Sequence, residues 1–144
     1  QGKGMSGIEE QNKVTTRRLL EDEISTANFA LTEALVHPDF FDHTNPPGMQ
    51  HGIEGHRAIV SLFRNAFPDL EWTIEDLIAE GDRVVARTVM QGTHKGDFFG
   101  IPGTGTRVVV SGVHIGRIAD GKVVEHWGNN DDLGLMRQLG VVPA

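Results

Sequence analysis

The chain carries seven histidines and 20 Asp and Glu, but no Cys and no Tyr. Thiolate metal sites, thiol nucleophiles and disulfides are therefore excluded. So is a phenol donor to a developing oxyanion, a common device in enolising enzymes. Carboxylate, imidazole, amide and indole remain. His114 falls inside the apolar run Val108–Ile118, between Val113 and Ile115, where a titratable ring must find a partner or stay neutral. His43 ends the short apolar segment Phe40–Thr44, just before a Pro-Gly loop. For both, a structural hydrogen-bonded histidine and a pocket residue are equally open readings.

The pair Asp131-Asp132 stands where a run bearing Trp127 meets the last helical segment. A helix start uses one Asp as a cap and to complement the dipole, but does not require two. Period-two alternation puts Trp127, Asn129 and Asp131 on one face of a strand. If Trp127 lines a cavity, Asp131 points into its mouth, where a carboxylate beside an indole in a dry site gains basicity and can act as a general base.

Two further patterns carry less. No two of His37, His43, His51, His56, His94, His114 and His126 are separated by one residue, there is no His-Glu-x-x-His, and His51 and His56 straddle a loop–helix boundary. No metal is expected. Gly100-Ile-Pro-Gly103-Thr-Gly105 looks like a phosphate loop, but it opens a strand at Arg107 and has no Gly-Lys-Ser/Thr. It reads as a tight connection between strands.

The elements that must position these residues follow from periodicity. Apolar residues from Ile8 to Leu35 recur at helical spacing, with Ser25 and Thr26 as caps dividing the segment in two. Ile53–Phe67 is a second amphipathic helix, stopped at Pro68. Phe40–Thr44 is an early strand, and Asn45–Gly52 is a loop that could rim a pocket. After Pro68 the texture turns β-branched: Trp72–Ile78, Val84–Gln91, Arg107–Ile118 and Lys122–Asn130 are strands, two of the joins being short hairpins at Gly81 and Gly121. Asp131–Leu139 closes as a helix ended by Gly140. The sum is one α+β domain over residues 5–144, a curved antiparallel sheet with helices on one face.

Composition agrees. A length of 144 residues predicts one domain, and 23% charged residues with 38% hydrophobic ones place it among globular proteins. A net charge of −7 argues against nucleic acid as a partner. No run reaches the length of a membrane span and no signal pattern opens the chain, so a cytoplasmic location without membrane contact is expected. Gln1–Gly4, ahead of Met5, are expected to be a vector remnant.

Taken together, several motifs resemble the SnoaL-like polyketide cyclases: His94-Lys-Gly-Asp-Phe-Phe-Gly-Ile-Pro-Gly-Thr-Gly-Thr-Arg-Val108, Arg117-Ile-Ala-Asp-Gly-Lys-Val-Val-Glu-His-Trp127 and Asp131-Asp-Leu-Gly-Leu-Met-Arg-Gln-Leu-Gly140. Asp42-His43 with Pro46-Pro47, Ala66-Phe67-Pro68-Asp69 and Gly81-Asp82-Arg83-Val84 add to the likeness, which spans about Val14 to Gly140. The resemblance implies the NTF2-like fold, a cone of curved sheet closed by N-terminal helices around an internal apolar pocket. It also implies aldol-type ring closure without metal or cofactor. Through the Trp-x-x-x-Asp pattern it carries the acid/base role to Asp131, with Asp132 one residue away as the alternative, and it carries the strand histidine to His114. The missing Tyr removes any tyrosine contact to a polyketide.

The expected enzyme therefore takes a proton from a small, mostly apolar or aromatic carbonyl compound. Asp131 is the base and His114 supports the enolate oxygen. Phe29, Phe63, Phe67 and Trp127 form walls, and His43 and Asn129 orient polar atoms. The competing expectation is a non-catalytic ligand-binding or assembly module on the same fold, favoured if Asp131 merely caps the last helix. The β-rich second half, whose outer face would leave Val and Ile exposed, predicts a homodimer or larger homo-oligomer through the sheet. Light scattering checks this, and a 15.7 kDa particle at micromolar concentration would contradict it.

Overall fold

The computed structural model describes residues 7–143. The four residues read as a vector remnant lie outside that range. Helix α1 (Gly7–Arg17) runs without a break into a π-helical segment, Arg18–Ile24, and the chain then turns through Ser25–Asn28 into a short 3-10 turn and α2 (Thr32–Leu35). The division falls at Ser25, as the cap residues predict. The Ser25 hydroxyl donates to the Leu20 carbonyl at 3.0 Å, and the same oxygen accepts from the Trp72 amide at 2.8 Å, tying the helical arm to the sheet. The widened π turn buries Leu19, Leu20 and Glu23 together.

Strand β1 (Val36–Asp42) leads to α3 (Gly52–Ala66), and β2 (Glu71–Glu80), β3 (Arg83–Thr93), β4 (Arg107–Ala119) and β5 (Lys122–Asn130) follow, with α4 (Asp132–Gln138) last. The sheet order is β1-β5-β4-β3-β2. The strands from β2 to β5 are antiparallel, as periodicity predicts, but β1 pairs parallel to β5 along the edge. Two strands separated by most of the chain are not constrained by a hairpin, so a parallel edge costs no connection. The β4–β5 turn has Asp120 at φ 55° and Gly121 at φ 76°, the two left-handed residues that match a tight turn to the sheet's twist.

Alternation sorts the sheet's two faces. The inner face carries Val84, Ala86 and Met90 of β3 and Val108, Val110 and Ile118 of β4, all buried. One core cluster gathers Phe67, Leu70, Trp72, Phe98 and Leu135, and another Leu35, Val36, Phe40 and Val123. Helix α3 lies over this face, and residues of the π segment, α3 and the sheet enclose a cavity of about 150 Å³ that touches both clusters. On the outer face Ile78, Val109 and Val113 remain exposed. No helix among the described residues is long and apolar enough to cross a membrane.

Candidate active site

Small and large residues alternate where β4 meets β5. On the inner face Gly112 pairs with Asn130, His114 with Gly128 and Gly116 with His126, so each polar side chain faces a glycine across the ladder. The space is needed: a Cβ on Gly128 would stand 2.5 Å from His114 Nδ1, and one on Gly112 2.1 Å from Asn130 Oδ1. With those positions empty, the side chains reach diagonally along the sheet. Asp42 Oδ1 lies 2.8 Å from His126 Nδ1, His126 Nε2 lies 2.9 Å from His114 Nδ1, and His114 Nε2 lies 3.0 Å from Asn130 Oδ1. The two imidazoles are nearly parallel, at 12°.

Asp42 comes from the last residue of β1, brought beside His126 by the parallel pairing. Its Oδ1 also accepts from the Thr44 amide at 2.8 Å and the Thr44 hydroxyl at 2.6 Å. Burial pushes this carboxyl up, but the hydrogen bond and positive charge of His126 and the two Thr44 bonds together outweigh it and bring it down to about 2. His114 moves the other way from its ordinary value: burial and the neighbouring His126 charge bring it down to about 4, against the smaller upward pull of Asn130 and Asp42. Near neutral pH the chain therefore holds an ionised Asp42 and a neutral His114.

The Asp42, Thr44, His114, His126 and Asn130 side chains all line the cavity, among apolar residues such as Leu19, Ile24, Ile59 and Phe63. Trp72 closes one wall with its ring edge-on to His114, the centroids 5.4 Å apart. Apolar walls around a hydrogen-bonded acid/base chain suit proton transfer at a carbon next to a carbonyl.

Of the residues singled out in the sequence, His114 and Phe63 reach this cavity. Trp127, Asn129 and Asp131 do share one face, as alternation predicts, but it is the outer one, because the inward set on β5 is His126, Gly128 and Asn130. Trp127 stacks on His43 with ring centroids 4.9 Å apart and carries the Arg83 guanidinium 4.9 Å from its ring centre. His43, exposed, bonds Glu125 at 2.7 Å. Phe67 is fully buried in the core beside Phe98, and Phe29 is half-buried on the 3-10 turn, away from the cavity lining. Residues 45–52 contribute nothing to the lining.

Asp131 is the N-cap of α4. It is exposed, and its Oδ1 accepts from the Gly134 amide at 2.9 Å. Asp132 sits exposed in the first turn of the same helix. The placement of Asp131 inside with His114 is thus corrected: a cap needs its carboxylate aimed along the helix axis, away from the sheet's inner face. Asn caps about as well as Asp, so Asp131→Asn should keep stability within ~0.5 kcal/mol, while Asp131→Ala should lose ~1 kcal/mol. Both should turn over substrate like the parent. Thermal melts and initial rates check this, and a collapse of turnover in Asp131→Asn would restore the residue to the mechanism.

The residues missed are Asp42, His126 and Asn130. Their signal was present: in Phe40-Phe-Asp42 alternation puts Asp42 on the face of buried Phe40, and in β5 the choice between the His126 and Trp127 faces decides everything.

Known proteins place the chain in a family. The family model for SnoaL-like polyketide cyclase matches residues 14–139. Aklanonic acid methyl ester cyclase of Streptomyces sp. (strain C5) is 32% identical over 131 residues, covering 86% of this chain and 78% of the relative. Nogalonic acid methyl ester cyclase of Streptomyces nogalater is 37% identical over 111 residues, covering 73% of this chain and 80% of the relative. Among solved structures, TsrD from Streptomyces laurentii superposes with a TM-score of 0.81 at 31% identity, covering 96% of this chain and all of that one. Wild-type IdmH from Streptomyces antibioticus gives 0.79 at 30% identity, with coverages of 90% and 99%. With its cone of curved sheet, its NTF2-like architecture and a family match along nearly its full length, the chain belongs to the SnoaL-like polyketide cyclase family.

Proposed function

We propose that the protein closes a ring in a polyketide-type carbonyl compound by an intramolecular aldol step, with the Asp42–His126–His114 chain as its acid/base centre. One observation carries the reading: a neutral imidazole faces an apolar cavity and is backed by a second imidazole and an ionised carboxylate. At rest His114 Nε2–H donates to Asn130 Oδ1; once substrate displaces Asn130, the other tautomer, with Nδ1–H donating to His126 Nε2 and His126 Nδ1–H donating to Asp42, leaves Nε2 bare. A proton taken at His114 Nε2, as Asn130 gives way to substrate, passes on to His126. The resulting imidazolium rests against the Asp42 carboxylate. His114 itself holds a proton weakly, but the charge does not stay there. After the carbon–carbon bond forms, the new alkoxide oxygen takes up a proton.

A cavity of about 150 Å³ accommodates roughly one six-membered ring, so the ring that closes occupies it and the rest of the substrate extends through its mouth. The names of the relatives supply trial substrates, aklanonic and nogalonic acid methyl esters. The binding-module alternative was tied to Asp131 as a mere cap. Asp131 is one, yet the cavity is lined by another carboxylate, Asp42, which backs the two imidazoles of the proposed proton path. Incubation of the protein with each ester and chromatography of the cyclised product tests the proposal, and no acceleration over buffer with either ester would count against it. The partner we place on the exposed outer face of the sheet is a second copy of this chain, with Val109 and Val113 at the contact.

A further inference from the structure

A second carboxylate–imidazole pair abuts the same cavity. Glu23, fully buried on the π segment, holds His56 Nε2 with both oxygens, at 2.8 and 3.0 Å, and accepts from the Thr32 hydroxyl. His56 projects from α3, is 4% exposed, and lines the cavity beside Phe40. The first centre thus rises from the sheet and the second descends from the helix laid over it. A buried carboxylate–imidazole pair is weak grounds for stability, since its desolvation offsets its attraction and apolar residues of similar volume hold a core as well. The pair sits where the helix widens into π geometry, a distortion frequent at functional sites. With Nε2 committed to Glu23, Nδ1 is the ring atom left to exchange a proton with an occupant, and it makes no hydrogen bond among the described residues. An imidazole oriented by a carboxylate on its far nitrogen is the arrangement of an activated acid or base.

Building on the ring-closure reading, we infer that His56, oriented by Glu23, is the acid that protonates the oxygen formed at ring closure, while His114 removes the carbon-bound proton. The steps balance. The C–H proton goes to His114 Nε2, and the electron pair of that bond becomes the new carbon–carbon bond. The π pair of the attacked carbonyl moves to its oxygen, and the Nδ1 proton of His56 goes there. The relay ends one proton richer and the Glu23–His56 pair one poorer, and exchange with water resets both. Glu23 is a positioning residue, acting through His56.

The two half-reactions can be read apart in D2O with nogalonic acid methyl ester: deuterium entering the activated carbon reports proton removal, and cyclised product reports the whole sequence. His56→Asn and Glu23→Gln should lose ring closure ~100-fold, within the range typical of a single acid/base group, and the loss should exceed that of deuterium exchange at least ~30-fold. Parallel loss of both, or unchanged closure, overturns the inference. If the parent protein shows neither reaction, it is the ring-closure reading that fails. A second measurement then decides on His56: nitrogen NMR of the native protein titrated with acetophenone, a one-ring ketone of the cavity's size. Movement of the His56 Nδ1 resonance supports the contact, and a stationary resonance at saturation rules it out. The titration also decides should neither variant fold.

Discussion

A His114→Gln variant is expected to lose about 1000-fold in kcat while KM changes little, because it removes the one group that takes the proton but leaves the apolar walls that bind the ring. Glutamine keeps an N–H for Asn130 and bulk beside Gly128, yet has no basic nitrogen and cannot pass a proton to His126. His114 is also a liability in acid. Its pKa of about 4 in the fold lies below the ordinary 6.5, so between those values the unfolded chain binds a proton that the folded one refuses. Stability therefore falls as pH drops through 6.5 toward 4, by up to ~3 kcal/mol. His114→Gln should flatten that part of the curve and become the more acid-resistant protein as it becomes the less active one. Steady-state rates with the methyl ester substrates and denaturant melts from pH 7 to pH 4 measure both. A variant that keeps a third of parental turnover would remove His114 from the centre.

How much of this was legible in the sequence varies by element. Helix α3 and strands β2 to β5 follow from periodicity alone, because each has one face in the core and one outside, and local pattern reports that contrast. The grouping of Trp127, Asn129 and Asp131 was equally legible. The side they face was not: alternation fixes parity and leaves the sign open, and here both faces of β5 carry histidine or aromatic character. Trp127 covers the outside of the sheet with His43 and Arg83, whereas a large indole reads naturally as core. The parallel β1–β5 edge that delivers Asp42 to His126 is a contact between distant segments, and no local signal encodes it. The glycines opposite His114 and Asn130 were visible as letters, but their meaning depends on cross-strand register.

Asp42→Asn should be the other large effect, and it acts on stability and rate with different pH signatures. The Asp42 carboxyl, brought down from 3.8 to about 2 in the fold, contributes stability that is fully present above pH 3.8 and lost as pH falls through about 2. Its size is ~2 kcal/mol at most. Asparagine still accepts from His126 and Thr44 but without charge, so at pH 7 the variant should melt roughly 4–8 °C lower. Below pH 3 the deficit should shrink, because the parent is then losing the same contribution. Losing Asp42 also removes one of the upward pulls on His114, so the variant's His114 holds a proton still less readily. With no carboxylate to receive it, the imidazolium on His126 is left unbalanced in a mostly apolar surround, and turnover should drop at least ~100-fold. The pH dependence of the melting difference separates this from simple damage to packing, which would lower the melting temperature by a similar amount at every pH. A constant offset from pH 7 to pH 2.5, together with near-parental turnover, would show that Asp42 only ties β1 to β5 and has no part in carrying the proton.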